Sequence, residues 1–382
     1  MHLRRSPLAL LALMALLLAA CTAPATPTGG SAGAPRSGAA ARQQPAASPD
    51  YFAGKTITLQ VNYSAGGPTD VSARMIAQYL GKHVPGNPQI IVENKAGAGG
   101  LVGKNYVYNV AKKDGTLIGV FSATFGHQLV SGDGVQYDSS KFNWLAGFAE
   151  TAVGFVGTGT GVRTGRELAT TNAEIISGGL APDTTKDMSL RTFLNMLGLK
   201  YKYVTGYPGS ADARLAFQRG EINFYEDSLT SWFGGFVPMM KEGVLTPIGQ
   251  QGLFRNGQVV RDPRVPDYPT YQEIAVEARG ESVKQSVEYR AMTAVVQLGT
   301  MLLAVVYPPG VDPSLVEMMR QAVSDTLADP EYRDAFEKQL GFPYELIPGA
   351  EAQSLAEKIV KDASEDQEAL EYLRRLSREK QG

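Results

Sequence analysis

Ile57-Thr58-Leu59-Gln60-Val61-Asn62-Tyr63-Ser64-Ala65-Gly66-Gly67-Pro68-Thr69-Asp70 carries the pattern from which the rest of the chain is read. Ile57 to Tyr63 alternates β-branched and polar residues and predicts a strand. Ser64 to Pro68 breaks it. Thr69 then opens a helical pattern, with Val71, Met75, Ile76 and Leu80 apolar at helix spacing. Thr69 is an N-cap candidate, and Asp70 in the first turn complements the helix dipole. Downstream, Gln89–Glu93 reads as a second strand. It leads through Gly97-Ala98-Gly99-Gly100 into a helix near Leu101–Ala111, and Thr116–Ser122 reads as a third strand. Strand, glycine turn and helix alternating at this pace predict parallel βαβ units.

The middle of the chain repeats the pattern. Short strands are expected at Glu174–Ser177, Tyr201–Thr205, Glu221–Tyr225 and Leu245–Gly249. Helices are expected near Thr185–Leu197, Ala211–Arg219 and Leu229–Met240. Ala291–Tyr307 is strongly apolar but short of the roughly 20 residues that a spanning helix needs. It contains Gln297 and Gly299, and a buried helix running into a buried strand is the expectation. Helices Pro313–Leu327, Pro330–Leu340 and Ala350–Leu376 close the chain, with an extended piece at Tyr344–Ile347.

The N-terminal end speaks to compartment. Arg4 and Arg5 precede an uncharged apolar stretch, Leu8–Ala20, and Leu18-Ala19-Ala20-Cys21 ends it. The stretch has the length of a signal peptide's apolar region. Its ending resembles the bacterial lipobox, in which the cysteine sulfur is lipidated; an ordinary secretory signal is the alternative. Cys21 is the only cysteine among 382 residues, so no intramolecular disulfide is possible. Residues 22–50, rich in Ala, Pro, Gly, Ser and Thr, read as a flexible tether. Gly29-Gly30-Ser31-Ala32-Gly33 fits a serine-hydrolase pattern but lacks the strand and helix that would make it one.

About 330 residues remain, enough for two domains. With 36 basic and 38 acidic residues and no long basic run, the electrostatic footprint of a nucleic-acid binder is missing. Beyond residue 21 only His83 and His127 are histidines, and no Cys/His cluster or H-E-x-x-H offers a metal site. Gly54-Lys55-Thr56 lacks the upstream glycine of a P-loop. Gly97–Gly100 fails the dinucleotide fingerprint because Val102 occupies the last glycine position. No enzyme chemistry, cofactor or metal is therefore expected. What recurs is the glycine-rich turn between strand and helix. In a parallel sheet such turns share the carboxyl edge, and the N–H groups of a helix start offer an anion site. A tight turn without ligand is the alternative for any one of them.

Val61–Asp70 resembles the first loop of the tripartite tricarboxylate transporter substrate-binding proteins, the Bug family. Val92-Glu93-Asn94-Lys95-Ala96-Gly97-Ala98-Gly99-Gly100 resembles the family's second signature. Lys113–Leu117, Tyr207–Ala211, Arg219–Asn223 and Ala328–Glu331 resemble later junctions, so the likeness runs from about residue 55 to the C-terminus. The resemblance implies an α/β, two-lobed periplasmic-binding-protein-like (Venus flytrap) fold, each lobe a mostly parallel sheet flanked by helices. The expected limits are 1–21 signal, 22–50 tether, 51–155 with 300–342 as lobe 1, and 156–299 with 343–382 as lobe 2. Hinge crossings are expected near Gly154–Gly161 and Leu298–Val306.

It further implies a small carboxylate ligand held between the lobes and delivered to the permease subunits of a membrane transporter. The expected setting is a monomer anchored at the periplasm or cell surface through lipid on Cys21. Carried over by position, ligand contacts fall on Tyr63, Ser64, Gly66, Gly67, Thr69, Asp70, Ser122 and Thr124 in the first lobe. In the second they fall on Ser177, Gly178, Tyr207, Gly209, Ser210 and Asp227. Asp70 has a second reading as a stabiliser of its helix start. Leu180–Asp187 departs from the family's run of small residues, and Tyr225-Glu226-Asp227-Ser228 is unusually acidic for a carboxylate pocket. Lys186 is read either as solvated or as a partner for a second carboxylate. A ligand-sensing lipoprotein and a carboxylate-acting enzyme are the competing functions.

Overall fold

The computed structural model describes residues 48–379 except 123, 344, 363 and 364. The expected leader with Cys21, and the tether up to residue 47, lie outside the described residues. The chain opens with strand β1 (Thr56–Val61), helix α1 (Pro68–His83), β2 (Gln89–Asn94), α2 (Leu101–Asn109), β3 (Leu117–Ser122) and β4 (Asn143–Ala149). It crosses to a second lobe of β5 (Ala152–Gly157), β6 (Ile175–Gly179), α3 (Thr185–Met196), β7 (Tyr201–Thr205), α4 (Ser210–Gln218), β8 (Phe224–Ser228) and β9 (Leu245–Gln250). A hairpin of β10 (Leu253–Arg255) and β11 (Gln258–Val260) follows, then α5 (Tyr271–Arg279) and α6 (Val287–Leu298). The return brings β12 (Leu303–Tyr307), α7 (Pro313–Ala328), α8 (Pro330–Leu340), β13 (Glu345–Pro348), α9 (Gly349–Asp362) and α10 (Gln367–Arg378).

The first sheet has the order β13-β4-β12-β3-β1-β2 and the second β7-β6-β8-β5-β9. Both are mixed, with four of six strands in the first and four of five in the second running in one direction, in line with the expected mostly parallel sheets. Each keeps a parallel trio, β3-β1-β2 and β7-β6-β8, as the glycine turns demand. The antiparallel partners are the strands that follow a crossing. β5 and β12 both enter their sheets from the cleft, where the parallel strands end, so they must run against them. β13 likewise starts opposite the end of β4, with Glu345 facing Ala149.

Two boundaries shift accordingly. β5 lies in the second sheet, so the first crossing is at residues 150–151, before Gly154. β13 pairs with β4, and α9 packs on that strand, so 343–362 belong to the first lobe. Only α10 reaches the second, packing on α6 and α3. The return crossing spans residues 299–302, inside the expected range. The apolar run Ala291–Tyr307 is the end of α6 followed by β12, every residue of which is buried. No helix among the described residues is long and apolar enough to cross a membrane.

Candidate ligand-binding cleft

Every parallel strand ends at the cleft, so the helices that follow β1, β6 and β7 start there. α1 begins behind Gly67, with Pro68 in its first turn and no side chain capping it. α4 begins behind Gly209, also uncapped by a side chain. α3 is capped by Thr184, whose hydroxyl accepts the Asp187 N–H at 3.2 Å. Each start carries unpaired first-turn N–H groups and roughly half a positive charge. The lobes are closed on each other. Ser64 Oγ donates to Asp212 at 2.7 Å and Ser131 Oγ to Asp183 at 2.6 Å, both across the cleft.

Between them lies a narrow cavity. From the first lobe it is lined by Tyr63, Gly67, Pro68, Thr69, Ser72 and Ser122. The second lobe supplies Leu180, Thr184, Thr185, Lys186, Ser210 and Asp227, with Ser228 beside them. Glu150, Ala152, Gln251, Leu302 and Leu303 come from the ends and starts of the crossing strands.

Of the residues expected at the ligand, Tyr63, Gly67, Thr69, Ser122, Ser210 and Asp227 line this cavity. The other eight do not. Ser64 is held by Asp212, and Gly209 presses on Ser64, which a Cβ there would meet at 2.3 Å. Asp70 accepts the Gly66 N–H at 2.9 Å, Arg74 Nε at 2.9 Å and Asn94 Nδ2 at 3.0 Å. Burial works against its carboxylate, but these donors outweigh it and hold the pKa below the usual value. Asp70 is thus a buried brace for the loop and helix start, its second reading. Thr124 is buried beneath the cavity, and its carbonyl accepts Tyr137 Oη at 2.8 Å. Ser177 and Gly178 sit within β6, short of its cleft end, where Gly178 faces Ile222. Tyr207 is half-buried against the core.

Lys186 is neither solvated nor free for a second carboxylate. Its Nζ lies 3.0 Å from each of Ser210 Oγ, Tyr225 Oη and Asp227 Oδ1. An ammonium has three donors, and all three are occupied. Burial alone would lower its pKa, yet the Asp227 carboxylate and the Tyr225 phenol hold it above the ordinary lysine value. The acidic Tyr225–Ser228 segment is therefore internal support: Lys186 neutralises Asp227, and Glu226 accepts from Tyr271 Oη at 2.7 Å.

Four atoms on buried residues of the wall have no hydrogen-bond partner among the described residues: Asp227 Oδ2, Thr185 Oγ1, Gln251 Nε2 and Ser228 Oγ. These residues are 1%, 1%, 4% and 5% exposed. Unpaired buried polar groups each cost about 1–3 kcal/mol, so the wall is set for a polar guest. Glu150 also faces the cavity. Its Oε2 accepts the Thr230 N–H at 3.2 Å and hydroxyl at 3.1 Å. Burial pushes its pKa up to about 7, against the pull of Arg264 and the Thr230 donors.

Sequence reasoning did not place Glu150, Gln251, Thr184 or Thr185 on this wall, and it left Lys186 between two readings. For the last three a signal exists. Thr184-Thr185-Lys186-Asp187 has a capping residue three positions before an acid, which puts Lys186 in a first helical turn after a strand. Glu150 and Gln251 follow strand ends without any local motif.

Gly67 offers a direct check of the cavity. At φ −85° a side chain is not strained there, and a Cβ meets only ordinary contacts, with Ser210 N at 3.7 Å. Gly67→Leu is expected to fill the space beside Ser210 and weaken ligand binding by about 100-fold or more, roughly 2.7 kcal/mol. The unliganded protein's melting temperature should stay within about 3 °C of wild type. Isothermal titration and a melting curve check the two halves.

No family model matches the chain. A UPF0065 protein from the gbd 5′ region of Cupriavidus necator is 25% identical over 319 residues, covering 82% of this chain and 87% of that one. Among solved structures, the periplasmic binding protein BugD superposes with a TM-score of 0.64 at 21% identity, covering 86% of this chain and all of its own. MatC from Rhodopseudomonas palustris with bound malate gives 0.62 at 21%, covering 85% and 100%. The chain therefore has the periplasmic-binding-protein fold and is similar along most of its length to a UPF0065 protein, in keeping with the resemblance of its glycine loops to the tripartite tricarboxylate transporter-type substrate-binding (Bug) family.

Proposed function

We propose that this chain is an extracytoplasmic solute-binding lipoprotein that captures a small carboxylate between its lobes and delivers it to a membrane transporter. The observation that carries this reading is the convergence of three helix starts, α1, α3 and α4, on one buried cavity. With Lys186 neutralised by Asp227, these starts are the positive pole available to a carboxylate. The malate held by MatC supports the same ligand chemistry on the same fold. No chemistry is invoked. The ligand touches both lobes and favours the closed form by its differential affinity. The closed surface is then what a permease recognises. The Leu18–Cys21 ending supports an anchor in the periplasm or at the cell surface.

A thermal-shift series on the full chain in detergent, against mono-, di- and tricarboxylates and aromatic acids, tests it. A ligand at about 100 times its dissociation constant adds roughly 2.7 kcal/mol of stability, and about 5 °C is expected. No shift with any acid, in folded protein freed of carried-over ligand, would refute the carboxylate reading.

A further inference from the structure

We propose that the ligand carries a protonated amine besides its carboxylate, with the carboxylate at the helix starts and the ammonium against Glu150. This rests on the carboxylate reading above and narrows it. Glu150 stands at the crossing between the lobes, after β4, and its carboxylate lines the cavity. Its hydrogen-bond partners among the described residues are the Thr230 N–H and hydroxyl.

No lysine, arginine or histidine among the described residues forms an ion pair with it. Arg264, behind it, is committed elsewhere: Nη2 and Nε bind Asp262 at 2.6 and 2.8 Å, and Nη2 also binds the Ala149 carbonyl at 2.9 Å. Across the cavity Lys186 is closed off by Asp227, Ser210 and Tyr225. Yet Asp227 itself presents a second oxygen, Oδ2, that no protein group satisfies. The wall thus combines one neutralised ion pair, one carboxylate that feels Arg264 but has no ion-pair contact, one carboxylate oxygen without a donor among the described residues, and three positive helix starts.

Charge decides between ligand types. Three helix starts match about one anionic group. A second carboxylate would meet Glu150 or Asp227, and like charges at such range are strongly disfavoured in a buried site. A ligand ammonium instead supplies the cation that Glu150 lacks, in a charge-assisted bond stronger than a neutral one. The raised pKa of Glu150, a consequence of its burial, fits a carboxylate awaiting such a partner.

Matched acids that differ only by the amine test the inference on the full chain: L-glutamate with glutarate, L-leucine with 4-methylpentanoate, and 4-aminobutanoate with butanoate. Isothermal titration at pH 8 is expected to show at least one amino acid binding about tenfold or more tightly than its partner. Glu150→Gln, isosteric and uncharged, should bring that ratio towards one. Amine-free acids that bind as well as or better than every amino counterpart would overturn the inference and leave the carboxylate reading standing. A preference for the amine that survives in Glu150→Gln would overturn Glu150's part in it. Binding of no acid from either column would overturn both readings.

Discussion

Lys186→Met is expected to destabilise the unliganded protein by about 3–5 kcal/mol at pH 7. The lysine side chain is 15% exposed and the Asp227 side chain 1%, so solvent cannot stand in for the lost partner. Without the ammonium, Asp227 Oδ1 keeps the Ser228 N–H at 2.9 Å and Ser210 Oγ at 3.2 Å, while Oδ2 has no donor at all. A buried carboxylate in that condition carries most of its desolvation cost uncompensated. The companion change, Asp227→Asn, removes the charge that needs pairing, so Lys186→Met with Asp227→Asn should recover at least half of the loss. Urea unfolding of the two variants gives the comparison. A single-variant loss below about 1 kcal/mol would mean that the pair behaves like an exposed one. Equal losses in the single and double variants would place the cost in lost packing of the lysine stem rather than in the stranded charge.

The first-lobe architecture was legible because its signal is local. The apolar alternation of Ile57–Tyr63, the glycine pair, and the helix-spaced apolar residues up to Leu80 lie within one window, and β1 and α1 follow that order. The same holds for β6–α3 and β7–α4. What sequence could not supply was the direction of strands that enter a sheet after a crossing. β5 and β12 are apolar runs like any other buried strand. Their antiparallel sense comes from where the chain enters, which no residue pattern encodes.

The cavity divides along the same line. Gly67, Thr69 and Ser210 line the cavity, and a helix start behind glycine announces itself in the sequence. Ser177 and Gly178 lie off the cavity wall because the strand runs further towards the cleft than its glycines suggest. Asp70, Ser64 and Gly66 are neighbours of the ligand loop in sequence, yet Asp70 and Gly66 bond within the loop and Ser64 Oγ donates to Asp212 across the cleft. Lys186 was ambiguous because an isolated lysine reads as solvated. Its meaning depends on Asp227, 41 residues on, and on Tyr225. Glu150 and Gln251 owe their place to the two strands that end beside the cleft, a purely tertiary fact.

Gly99→Ala is expected to prop the lobes apart and weaken the ligand by about 10- to 100-fold, the equivalent of roughly 1.4–2.7 kcal/mol. Gly99 lies in the second glycine loop at φ +59°, where an alanine already costs about 1 kcal/mol. More telling is what its Cβ would meet. Ala181 Cβ stands at 2.6 Å and Thr184 Cγ2 at 2.9 Å, both on the second lobe, with His127 Nε2 of the first at 3.2 Å. Relief needs a shift of about an ångström, and the cleft is the seam along which the chain can give without disturbing either sheet. A ligand that touches both lobes then binds through a form populated only in part, and its apparent affinity falls by that fraction. Small-angle scattering should show a larger radius of gyration for the liganded variant than for liganded wild type, with the melting temperature of the unliganded protein little changed. If affinity falls while the radius stays at the wild-type value, the damage is confined to the loop. If neither changes, the lobes do not close as tightly on Gly99 as Ala181 and Thr184 indicate.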